Sequence, residues 1–153
     1  MTYDKLLMDA ENSGLPVNEK PLKYGLKGVY KNSKIIIDKK LKTSVEKRCI
    51  LAEEIGHHET SYGNILDQSD ISNRKQEKRA RNWTYEKLAG IISIVNAYEK
   101  GIKNRHDLAE YLNITEIFLE EAIQHYREKY GVYYEIDTYI VYFEPSFGIL
   151  KKF

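Results

Sequence analysis

The stretch from Thr43 to His58 leaves its backbone little choice. Thr43 and Glu46 stand at capping-box spacing, in which a hydroxyl and a carboxylate three residues on satisfy the free amides of a first helical turn. Behind them Val45, Cys49, Ala52 and Gly56 fall along one face of a helix. That helix sets Glu53 and His57 one turn apart, about 6 Å of rise at ~1.5 Å per residue, so both side chains can converge on one point. Glu54 points to the adjacent side. A zinc-peptidase helix commonly reads H-E-x-x-H, with two ligands four apart and an acid that activates water. The window Glu53-Glu54-Ile55-Gly56-His57 keeps the spacing and replaces the first imidazole with a carboxylate. Glu54 and His58 are also four apart. A second register with His58 as ligand, assisted by Glu53 or Glu59, therefore stays open, as does a solvated helix end that holds no ion.

The flanking segments predict an α+β fold. A short helix spans Tyr3 to Glu11, ended by Asn12-Ser13-Gly14 and followed by Pro16 and Pro21. GLKGVY and KIIIDKK, separated by Lys31-Asn32-Ser33, read as a β-hairpin. TSYGNILDQSDI, from Thr60 to Ile71, is rich in turn formers and predicts a loop. Ser72 or Asn73 then caps a long helix with Ala80, Leu88, Ile91 and Val95 in its apolar stripe and Trp83 and Ile92 beside it. Projected back one turn, this stripe lands on Glu77, which either meets a metal or sits in a frayed first turn favoured by the helix dipole. Asn104 caps HDLAEYL, Asn113 or Thr115 caps the helix ending at Gly131, and the residues beyond alternate as two or three strands with Pro145 and Gly148 in the turn.

A chain of 153 residues, 42% hydrophobic and 31% charged, buries one or two modest cores. Its apolar runs are far short of the ~20 residues that cross a bilayer, and its N-terminus lacks the order of a secretory signal, so a cytoplasmic protein without a membrane role is expected. The single cysteine, Cys49, rules out an internal disulfide and lies in the apolar run CILA, where burial is expected. A net charge of +1 gives no global attraction to nucleic acid. RKQEKRAR, residues 74 to 81, carries five basic residues and reads as a solvated face. Thirteen tyrosines against four phenylalanines suit surfaces that touch other proteins. The helical pair in 104–131 has a helix-turn-helix look, but Glu116, Glu120 and Glu121 near the start of its second helix repel phosphate, so direct nucleic-acid binding is not expected.

The order of hairpin, CILAEEIGHHETSYGNILD and RKQEKRARNWTYEKL resembles the ImmA/IrrE family of metallopeptidases, particularly its phage and mobile-element members, over roughly Leu22 to Tyr142. The second helix of that family opens E-x-x-A-N-x-F-A. Here it reads Glu77-Lys78-Arg79-Ala80-Arg81-Asn82-Trp83-Thr84, with Glu77 and Ala80 in place, Trp83 for Phe, and Arg81 and Thr84 departing. The resemblance implies Glu77 as third metal ligand, His57 as second and Glu54 as catalytic base. Glu53 falls at the first-ligand position, where the family usually has His and where A-E-E-x-G-H is a recurrent variant of the element-encoded branch. It further implies a zincin-like metallopeptidase core in 1–100, with a β-hairpin or small sheet on the metal-binding helix pair. A helix-turn-helix-like unit and closing β-hairpin follow in 101–153, packed with the core as one compact unit.

The implied activity is site-specific endopeptidase cleavage of the element's own helix-turn-helix repressor, an antirepressor function. The implied cofactor is a divalent ion, Zn²⁺ first, with Mn²⁺ also admitted by the harder oxygen donors. The competing reading is a non-catalytic protein-binding or DNA-binding regulatory module with a helix-turn-helix-like C-terminal part. His106, Tyr62 and Tyr85 are available as oxyanion donors, and nothing in the sequence selects among them.

Overall fold

The computed structural model describes residues 2–60 and 70–152. Among them the chain is α+β, with six helices and two three-stranded sheets. Its contacts divide it into two compact units, Met1–Thr84 and Tyr85–Phe153.

In the first unit, α1 (Tyr3–Asn12) starts at Thr2, whose hydroxyl accepts from the Lys5 amide at 3.1 Å, and buries Leu6 and Ala10. Three strands follow: β1 (Val17–Lys20), β2 (Gly28–Lys31) and β3 (Lys34–Asp38), in the order β1-β3-β2. The expected hairpin is β2 with β3, antiparallel, and its turn residues Asn32 and Ser33 both take positive φ (54° and 57°). That left-handed pair matches the twist of the strands, and Asn tolerates it best among residues with a side chain. β1 pairs parallel to β3, with Val17 opposite Ile35. This strand has no apolar alternation to announce it, because VNEK is largely exposed.

Ile35 and Ile37 of β3 are fully buried, and the sheet packs on α2 (Ser44–Thr60). The capping role of Thr43 is present: its Oγ1 accepts from the Glu46 amide at 3.1 Å. α2 buries Cys49, Leu51, Ala52, Ile55 and Gly56.

α3 (Asp70–Leu88) begins ahead of the expected caps, so Ser72 and Asn73 lie inside the helix. No Pro or Gly in DIS prevents the extra turn, and Asp is well suited to a helix start. Of the expected loop, 61–69 lies outside the described residues, while Thr60 ends α2 and Asp70 and Ile71 open α3. The long helix expected beyond this point is two helices. α3 stops at Leu88, and Gly90, extended at φ −62° and ψ 148°, is the N-cap of α4 (Ile91–Glu99). Glycine is a poor helix residue, and here it turns the chain out of the helical region. Leu88 and Val95 of the expected stripe are buried on either side of the break, whereas Ile92 beside it is 65% exposed.

The second unit continues with α5 (Arg105–Leu112), α6 (Glu116–Tyr130) and an antiparallel sheet β4 (Tyr133–Ile136), β5 (Tyr139–Tyr142), β6 (Gly148–Lys151). Asn104 and Thr115 cap the two helices through Asp107 N and Phe118 N. Gly148 opens β6 and is not part of the turn. Leu119, Ile123, Tyr126, Val141 and Phe143 form this core. Among the described residues, no helix is long and apolar enough to cross a membrane.

What positions the site is the crossing of α2 and α3 in the first unit. A Cβ on Gly56 would stand 2.7 Å from the Ala80 carbonyl oxygen, 2.8 Å from Thr84 Oγ1 and 3.2 Å from Trp83 Cε3. Ala80 is fully buried, and Thr84 Oγ1 donates to the Ala80 carbonyl at 2.8 Å, with the Ala52 carbonyl at 3.3 Å. A backbone oxygen cannot rotate out of the way as a side chain can. Gly56→Ala is therefore expected to destabilise the protein by about 1–3 kcal/mol, the range for overpacking a tight contact. Urea unfolding measures it, and an unchanged midpoint would contradict the close crossing.

Candidate metal centre

α2 carries Glu53 and His57 on successive turns, and α3 carries Glu77 one turn before Ala80. The crossing at Gly56 brings the three side chains together. Their ligand atoms all lie within 4.8 Å of one another, and His57 Nε2 stands 3.3 Å from Glu77 Oε2. Two donors sharing an ion at about 2.1 Å are at most about 4.2 Å apart, so small side-chain adjustments close the group. Carboxylate oxygens and an imidazole nitrogen are donor types that Zn²⁺ and Mn²⁺ accept. The three residues form a possible metal-binding group.

Glu54 sits beside them and is buried. Gly28 at the start of β2 makes room for it: a Cβ there would lie 3.1 Å from Glu54 Oε1 and 2.6 Å from Ile50 Cγ2. Burial pushes the Glu54 carboxyl up to about 8, and the negative charges of Glu53 and Glu77 add to the effect. A carboxyl that changes charge near neutral pH can both take up and release a proton there.

His58 is not part of the three-residue group. Its Nδ1 is engaged by the Tyr30 hydroxyl at 2.7 Å, with the rings edge to face. Of the residues available as oxyanion donors, Tyr62 lies outside the described residues. The Tyr85 hydroxyl donates to Glu121 at 3.1 Å, and His106 Nδ1 is 2.9 Å from Glu116. His106, Asp107 and Glu110 form a second, fully exposed grouping at the start of α5, where charged side chains are common without an ion.

Four contributors escape sequence reasoning. Arg81, a departure from the family motif, places Nε 3.5 Å from Glu53 Oε1. The other departure, Thr84, ties the crossing together through its hydroxyl. Both were findable by helical phase, since Arg81 is four beyond Glu77 and Thr84 four beyond Ala80. Gly28 over Glu54 and Tyr30 on His58 come from strand–helix packing and leave no local signal. No protein-family model, curated protein or solved structure matches the chain.

The raised Glu54 carboxyl makes stability depend on pH. The unfolded chain loses this proton near the ordinary 4.5 and the folded chain near 8. The stabilising difference is complete below 4.5 and is lost as pH rises toward 8. In chelator, Glu54→Gln should therefore gain on the parent over that window, by a few kcal/mol at its top, one pKa unit being about 1.4 kcal/mol. Urea unfolding across the pH range checks it, and parallel profiles for the two proteins would contradict a buried, titrating carboxyl.

Proposed function

We propose that the chain is a metal-dependent endopeptidase, with Glu53, His57 and Glu77 holding a divalent ion and Glu54 as the proton-transferring group. The observation that carries this reading is the meeting of three ligand-type side chains from two helices, with a buried carboxyl of raised proton affinity next to them. A bound Zn²⁺ or Mn²⁺ supplies Lewis acidity, polarising a carbonyl and making water nucleophilic near neutral pH. Glu54 takes the proton from the attacking water and delivers it to the departing amine nitrogen. The absence of a side chain at Gly28 leaves the space that the Glu54 carboxyl occupies. Breaking a peptide bond requires this pair of transfers, which is why the acid beside the ligand group favours hydrolysis over simple metal storage.

Glu53 makes the ligand set richer in charge than one built on two imidazoles. Two carboxylates cancel the charge of a divalent ion, so water is less acidified and zinc less strongly preferred. For the substrate, the resemblance to the ImmA/IrrE peptidases supports a helix-turn-helix repressor of the same prophage or mobile element, cleaved to release the genes it silences.

The test combines metal content and cleavage. Protein purified without chelators should contain a divalent ion by elemental analysis and should cut the helix-turn-helix repressor encoded beside it. Glu54→Gln should slow cleavage by about 10²–10⁴-fold while retaining the ion. A protein whose action on the repressor survives both chelation and Glu54→Gln is a binding module, and the peptidase reading then fails.

A further inference from the structure

Arg81 extends from α3 one turn past Glu77, and its Nε stands 3.5 Å from Glu53 Oε1. We infer that Arg81 is a positioning residue that holds Glu53 in its ligand pose, a device matched to a carboxylate at residue 53. The inference rests on the metal reading above. Glu53 has three rotatable side-chain bonds and is 30% exposed, so packing alone does not fix its carboxylate. The guanidinium supplies the missing restraint. It contacts one of the two carboxylate oxygens, Oε1.

Glu53 and Glu77 together already match the charge of a divalent ion, so the case for Arg81 is geometric and rests on its contact with Glu53. The opposing effect is repulsion between the guanidinium and the ion. Arg81 is 57% exposed, so water screens that repulsion and weakens its pairing with Glu53 as well; what the pairing adds is the orientation of a ligand. Partners that orient ligands are typically worth about 10–100-fold in metal affinity. An imidazole at residue 53 gives no carboxylate fork to the guanidinium, so Arg81 then contributes only its repulsion.

Zinc titration calorimetry on the parent, Arg81→Ala, Glu53→His and the double variant separates these effects, with His57→Ala as the ligand control. Arg81→Ala should weaken zinc binding about tenfold or more in the parent, Arg81→Lys should recover part of that loss, and Arg81→Ala should leave affinity unchanged or raise it when combined with Glu53→His. Thermal unfolding in chelator should be nearly unchanged by Arg81→Ala, as befits an exposed side chain. Equal losses in both backgrounds, or no loss in the parent, overturn the positioning role. A parent that binds zinc and loses it with His57→Ala keeps the metal reading even if Arg81 proves indifferent; a parent that binds neither zinc nor Mn²⁺ in the same titration removes both.

Discussion

Where α2 meets α3, a glycine leaves no side chain between the helices, and the Ala80 carbonyl oxygen lies 2.7 Å from where a Cβ would stand. The groups on either side of that point inherit their positions from it. Glu53 and His57 flank Gly56 on α2, and Glu77 and Arg81 flank Ala80 on α3. With a wider separation, as larger residues impose, these side chains would face solvent on separate helices. The Thr84 hydroxyl reinforces the approach by bonding to the Ala80 carbonyl with the Ala52 carbonyl also in reach, so the contact is held by directional bonds as well as by shape.

The same closeness concentrates negative charge. Three carboxylates gather beside one imidazole, and the most buried of them answers by holding its proton up to about pH 8. Such an arrangement is costly in an apolar surround unless a cation enters it. The polypeptide brings one cation itself, the guanidinium of Arg81, and leaves the three ligand-type groups turned toward each other. The grouping at His106 differs in being fully exposed, with His106 paired along the surface to Glu110 and Glu116.

Much of this was legible in the sequence wherever a local rule governs. Helix starts at Thr43, Asn104 and Thr115 follow from side-chain oxygens matched to free amides, and the Asn32-Ser33 turn from a residue type that tolerates positive φ. Glu77, on another helix, is implied as a partner of Glu53 and His57 only by the family resemblance, whereas the nearness of those two is also foreshadowed, because helical period fixes which residues share a face. Three features are not, and each has a non-local cause. β1 exists because β3 has an edge to pair, not because VNEK favours a strand. Apolar residues continue across Gly90 without marking the break, since periodicity records burial and α4 has its own buried face. The burial of Glu54 depends on Gly28, a residue from a strand far away in sequence.

Trp83 is the chain's single tryptophan, and its indole lies against the crossing, Cε3 being 3.2 Å from the Cβ position of Gly56. Indole emission shifts with the polarity and motion of its surroundings. All the tryptophan fluorescence of this molecule thus originates beside the one junction that gathers the ligand-type side chains, giving it a built-in optical gauge of whether those two helices are in register.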